Sequence, residues 1–183
     1  LNEMGLELKY VIKTHVHADH VTVASFLKSK TDAQILYGAA NEVEGADRYL
    51  QDGDEIELGE TVLKALATPG HTNGCFCFYT AGAVFTGDTL FIGGCGRTDF
   101  QEGSAEMLFK NVREKLFTLP EETRVYPGHD YNGRLYSTIA EEKAYNPRLK
   151  MDNSLEDFVS IMDGLNLPYP KKMDVAVPEN LKA

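Results

Sequence analysis

No stretch of the chain is apolar for long enough to span a bilayer, and its start carries no basic-then-apolar targeting segment. Membrane insertion is therefore not expected. Positive charge is also scarce: 18 Lys and Arg stand against 28 Asp and Glu, a formal net charge of −10. A nucleic-acid binder would show a basic patch, so nucleic acid is not an expected partner. Cysteines number three, an odd count without zinc-ribbon spacing. That excludes a disulfide framework and suggests reduced thiols in an intracellular compartment, cytoplasmic in a bacterium or the mitochondrial matrix in a eukaryote. Cys75 and Cys77 are two apart on a predicted strand and share a face, which reads as packing. Cys95 sits in a glycine-rich loop and is read as structural too. Histidine is scarce in a more telling way. There are five, and none is left over for the surface.

With 183 residues, 43 % of them hydrophobic, the chain fits one domain, residues 1–183. Leu1 to Leu6 reads as the last turn of a helix closed by Gly5. Such a start implies that something precedes it. Lys9 to Lys13 is a short strand, Val21 to Lys28 a helix, and Gln34 to Tyr37 a strand, while Asn41 to Leu50 is polar and ambiguous. Glu55 to Leu58 with Thr61 to Ala67, and Cys75 to Tyr79 with Ala83 to Thr86, read as two hairpins. Phe91 to Glu102 is a long irregular loop. Ser104 to Leu116 is helical with Ser104 as N-cap, and Arg124 to Tyr126 is a short strand. Helices follow over Thr138 to Tyr145 and Leu155 to Gly164, then a proline-marked tail.

The five histidines fall in three motifs. Thr14-His15-Val16-His17-Ala18-Asp19-His20 follows the first strand. Thr68-Pro69-Gly70-His71-Thr72 ends another, and Pro127-Gly128-His129-Asp130-Tyr131 a third. Asp88, in Phe85-Thr86-Gly87-Asp88-Thr89, again follows an apolar run. Binding residues concentrate in such loops, and ligands at the same ends of successive strands converge on one edge of a sheet sandwich. Imidazole with carboxylate suits a divalent first-row metal. Two arrangements fit. In one, His15, His17 and His71 hold a metal, Asp19, His20 and His129 hold a second, and Asp88 bridges them for hydrolysis. In the other, two histidines and one carboxylate hold a single Fe(II) with open positions, as in non-haem oxygenases. Spacing does not choose between them.

The Thr-His-x-His-x-Asp-His motif with the later His, Asp and His resembles the metallo-β-lactamase superfamily, in its glyoxalase II-like branch. Within that branch Gly94-Cys95-Gly96-Arg97-Thr98-Asp99-Phe100-Gln101, the segment Tyr126 to Tyr131, Asn146-Pro147-Arg148-Leu149, Leu165 to Pro168 and Val175 to Pro178 resemble persulfide dioxygenases. The resemblance spans nearly the whole chain. It implies an α/β fold, a four-layer αββα sandwich, and a non-haem Fe(II) dioxygenase that oxidises glutathione persulfide with O2 to sulfite and glutathione. It implies one Fe(II) on His15, His71 and Asp88, with His17, Asp19, His20, Thr72, His129 and Asp130 around the ligands. Arg97, Tyr131 and Arg148 would contact substrate, since a glutathione carboxylate needs a local cation on an acidic protein. The alternative is a hydroxyacylglutathione hydrolase with two Zn, Fe or Mn ions. A homodimer is left open. Two departures stand out. Val23 replaces a usual glycine, and the strands that precede the histidine cluster in the family are missing, which would leave the first sheet short and its edge open.

Overall fold

The computed structural model describes residues 1–182. Alternation along single strands builds its layers. In β2 (Gln34–Gly38), Leu36 points one way and Ile35 and Tyr37 the other. Leu36 joins Leu50, Ile56, Leu63, Ala65, Phe76 and Phe78 in a core between two sheets. Ile35 and Tyr37 face outward onto Val16, Ala24 and Val43. In β6 (Phe76–Thr80) the same rule sends Phe76 and Phe78 into the inter-sheet core. Cys77 goes to the outer cluster with Val84, Leu108, Val112, Leu116, Val125 and Phe158.

The first sheet has three parallel strands in the order β1 (Tyr10–Ile12), β2, β3 (Arg48–Leu50), and β1 forms one edge. The second has six strands in chain order: β4 (Glu55–Leu58), β5 (Thr61–Ala67), β6, β7 (Ala83–Gly87), β8 (Arg124–Pro127) and β9 (Ser137–Thr138). All its pairings are antiparallel except β7 with β8. Helices α1 (Ala24–Lys30) and α5 (Met173–Asn180) cover the first sheet through Ala24 and Val177. Helices α2 (Ala105–Asn111), α3 (Ile139–Tyr145) and α4 (Leu155–Asp163) cover the second through Leu108, Ile139, Phe158 and Met162. The result is the four-layer αββα sandwich that the motifs imply.

The caps account for where these helices begin. Ser104 Oγ accepts from Met107 N at the start of α2, and Thr138–Glu141 and Ser154–Asp157 form reciprocal capping boxes on α3 and α4. Gly5, at φ +65°, closes a 3-10 turn over Asn2–Met4. Three differences from the sequence reading appear. The helix after Ser104 widens into a π turn over Val112–Leu116. Leu108, Val112 and Leu116 keep a four-residue spacing and are all buried, so periodicity cannot register the change. The ambiguous stretch yields β3, only three residues long, in which Leu50 alone is buried. The tail contains α5 despite Pro178, a residue that costs a helix interior about 3 kcal/mol. Burial of Ala176 and Asn180 in that helix works against the cost.

Candidate metal centre

Every histidine and Asp88 lies beyond the C-terminal end of a strand: residues 15–20 after β1, His71 after β5, Asp88 after β7 and His129 after β8. The sandwich brings these ends together. His15, His71 and Asp88 each offer a donor atom, and the three donors lie within 4.8 Å of one another. His15 and Asp88 are buried. His71 Nε2 and His129 Nε2 each stand 3.6 Å from Asp88 Oδ2, too far for a hydrogen bond. Donors bound at about 2.1 Å to one ion sit roughly 3–3.5 Å apart, so this spacing suits coordination better. Asp88 Oδ1 is buried without a hydrogen-bond partner among the described residues. A carboxylate left this way needs a further partner, and a cation supplies one. The residues present therefore fit a metal ion.

The other ring nitrogens of His15 and His71 are tied. His71 Nδ1 lies 2.6 Å from the carbonyl oxygen of Arg97. A carbonyl can only accept, so Nδ1 carries the proton and Nε2 is left as the ligating atom. His15 Nδ1 is 3.0 Å from Thr14 Oγ1, which leaves Nε2 free there as well. Burial, then the neighbouring His71 and His17 imidazoles, pushes His15 well below the ordinary imidazole value. Burial and Lys13 bring His17 down to about 4. Both are thus neutral at pH 7, the form a metal requires. Burial raises Asp88 above the usual carboxylate range, although His71 and His129 oppose it.

The other motif residues form a more open group. His17, Asp19 and His20 offer donors within 4.8 Å of one another. His20 Nδ1 lies 3.0 Å from Asp19 Oδ1, and His129 Nε2 lies 3.8 Å from Asp19 Oδ2. Burial alone would raise Asp19, but the hydrogen bond with His20, a backbone hydrogen bond and the nearby His20 and His17 imidazoles together outweigh it and hold the carboxyl low. Thr72 is buried, with its hydroxyl 3.2 Å from Cys75 Sγ. Asp130 shapes the loop carrying His129, its Oδ2 accepting from the backbone N–H of Asn132 and Arg134. All three cysteines are buried, and burial raises the thiols of Cys75, Cys77 and Cys95 to about 12, 11 and 11.

Above the triad opens a cavity of about 500 Å³, whose walls include Phe91, Tyr131, Arg148, Leu167 and Pro168. Tyr131 stacks parallel to His129, with 6.0 Å between ring centroids, and is 81 % exposed. Arg97 also lines the cavity, but its guanidinium is engaged. Nε and Nη2 donate to the two oxygens of Asp99 at 2.6 and 2.7 Å, and Nη1 donates to Pro168 O at 2.8 Å. Its charge is neutralised, and its contacts pin the loop that carries His71's carbonyl partner. Arg148 donates from Nη1 to Cys95 O at 2.9 Å, and no acidic side chain pairs with it among the described residues. It is the cavity's uncompensated cation.

Several contributors gave no sequence signal of their own. Gly96 N–H donates to Asp88 O at 2.8 Å, and a Cβ there would lie 2.5 Å from that oxygen and 2.9 Å from His71 Nδ1. Gly128 is equally constrained, since its Cβ would sit 2.6 Å from Asp88 Oδ1. Buried Glu142 accepts from Gly93 N–H and so anchors the glycine-rich loop. Lys13, next to the histidine cluster, is lowered by burial to about 8.

Comparison with known proteins adds an independent finding. The model of the Metallo-beta-lactamase superfamily matches residues 1–129. The Bos taurus protein "Persulfide dioxygenase ETHE1, mitochondrial" is 47 % identical over 189 residues, covering 100 % of this chain and 72 % of the relative. The crystal structure of ETHE1 from Myxococcus xanthus superposes with a TM-score of 0.95 at 47 % identity, covering 98 % of this chain and 79 % of that one. A hydroxyacylglutathione hydrolase of Brucella anthropi is 43 % identical but over 76 % of this chain and 55 % of its own.

Proposed function

The chain belongs to the metallo-beta-lactamase superfamily, and on that premise we propose that it is a persulfide dioxygenase that oxidises glutathione persulfide with O2 to sulfite and glutathione. The observation that carries the proposal is the extent of the likeness. It runs through the entire chain against a persulfide dioxygenase and through 76 % of it against the hydrolase.

His15, His71 and Asp88 would hold one Fe(II), a mixed imidazole–carboxylate set suited to that ion. An Fe(II) so held would supply the redox chemistry between persulfide sulfur and O2. The chain's own residues do the rest. The Arg97 carbonyl fixes the His71 ring, so Nε2 stays aimed at the centre. Arg148, in the cavity wall, would grip a glutathione carboxylate. Phe91, Tyr131, Leu167 and Pro168 line the cavity beside the centre. His129 stands between two carboxylates, its Nε2 3.6 Å from Asp88 Oδ2 and 3.8 Å from Asp19 Oδ2.

Two measurements test the reading: metal content, and oxygen uptake with glutathione persulfide. About one iron per chain with uptake is expected. Two zinc ions per chain without uptake would sink the idea. The group His17, Asp19 and His20 keeps the dinuclear hydrolase as a second reading. Hydrolysis of an acyl-glutathione thioester by metal-replete protein, with no oxygen uptake, is the result that would favour it.

A further inference from the structure

The histidine loop between β1 and α1 has no regular structure of its own, so something else must hold residues 15–20 in place. The last residue of α5, about 160 positions away in sequence, reaches into that loop. Asn180 Nδ2 donates to both His17 O and His20 O at 2.8 Å. Its Oδ1 accepts from Thr22 N–H, also at 2.8 Å. The side chain is buried, 3 % exposed. Both donors of the amide and one acceptor are therefore spent on three backbone groups of a single loop. Helix α5 is seated independently of that contact: Ala176 is fully buried, Val177 packs on the outer face of the first sheet, and Leu181 O accepts from Glu44 N–H.

We propose that Asn180 is a positioning residue of the metal centre, its carboxamide fixing the backbone from His17 to Thr22 so that the loop leaving the ligand His15 holds its course and the His17 ring stays packed against the His15 ring, 4.2 Å between centroids. The chemistry singles out an amide. Two carbonyls three residues apart need two donors on one atom, while Thr22 needs an acceptor on the next. Aspartate has the same shape but offers no donor, and it would set a carboxylate oxygen against two carbonyl oxygens. A second amide contributes from the other side: Gln101 Nε2 donates to Val16 O at 2.9 Å, from a backbone held at φ +50°. Neither amide is among the residues that line the metal cavity.

The inference rests on the metal reading above, and the test separates the two. Asn180→Asp and Asn180→Ser are compared with Val177→Ala, which loosens the packing of α5 and leaves the clamp intact. Fe(II) dissociation constants are read by competition with a chromophoric chelator, beside the melting temperature of the metal-free protein. The expected result is at least a tenfold weaker hold on Fe(II) in the Asn180 variants. Val177→Ala, for an equal fall in melting temperature, should stay within threefold of wild type. The KM for glutathione persulfide should change by less than twofold while kcat falls, since Asn180 does not touch the cavity. If the Asn180 variants and Val177→Ala lose metal in proportion to their loss of stability, the positioning role is wrong. Loss of the fold in both Asn180 variants also overturns it, because the amide is then a fold determinant. Wild-type protein that binds no Fe(II) would count against the metal reading instead, and the same comparison made with Zn(II) still decides the clamp.

Discussion

At the scale of single residues, His71 uses both its nitrogens: Nδ1 holds the Arg97 carbonyl, and Nε2 faces Asp88. Removing either His71 or Asp88 takes away one of three protein donors. His71→Ala and Asp88→Ala should therefore both empty the site and abolish activity. His129→Ala should retain more iron than either, because its nitrogen flanks the carboxylate without belonging to the buried triad. An equally empty His129→Ala protein would show that the assignment of ligands is wrong. The two cavity arginines should also part company. Arg148→Gln removes the unpaired cation. A lost charge-assisted hydrogen bond of about 1.5–3 kcal/mol corresponds to a roughly tenfold to hundredfold rise in KM, with iron content unchanged. Arg97→Gln breaks contacts to the half-exposed Asp99 and to Pro168. It should cost about 1 kcal/mol, or ~2–4 °C in melting temperature. A KM effect at Arg97 larger than at Arg148 would reverse these roles.

Among the elements, the loops that end strands are set by close contacts no side chain could share. Gly96→Ala places a methyl 2.5 Å from Asp88 O and 2.9 Å from His71 Nδ1. Either the glycine-rich loop or the ligands must move. We expect impaired metal loading with little loss of helical signal, and normal metal content would show that the loop yields instead. Ser104→Ala tests the opposite case. It removes the N-cap of α2 at a cost of about 1 kcal/mol, and it should lower the melting temperature without changing iron content. Caps and hairpin turns act over a few residues, so α2, α3, α4 and the β4–β5 and β6–β7 pairs were readable along the chain. Strand β3 and helix α5 were not. Strand β3 has only three residues and α5 carries Pro178 in its interior, and each is held by packing on a neighbouring layer.

For the whole molecule, the buried imidazoles tie stability to pH. His15 lies well below its ordinary value, and His17 falls to about 4 from 6.5. Between folded and unfolded values the unfolded chain binds those protons. The stability contribution is therefore complete above about pH 6.5 and is lost as pH falls below it. Asp88, raised by burial, runs the other way: its contribution is complete below the unfolded carboxyl value and is lost as pH rises through the folded one. With two imidazoles against one carboxyl, the metal-free protein should melt at a lower temperature at pH 5 than at pH 7.5. Thermal melts of chelator-treated protein would check this, and a flat profile would show that the imidazoles titrate normally. Bound metal adds stability by mass action, and it does so less as acid competes for the donors.

The residues alone pointed to a metal site, and the resemblance of their motifs to a known superfamily implied the architecture. Five histidines concentrated in three strand-end motifs point to a metal site wherever the chain goes, because imidazole and carboxylate identity is local. The alternation in β2 and β6 demands two faces to bury, because successive side chains on a strand point opposite ways. What the chain alone left open was which of seven donor-bearing residues share one buried pocket, and which of two arginines is free. Those are distances between segments far apart in sequence. Arg97 looks like a substrate cation until Asp99 and the Pro168 carbonyl occupy its donors. Asn180 looks like the end of a tail until the outer helix layer sets it against His17 and His20. Partners of this kind are chosen by packing, which no local pattern encodes.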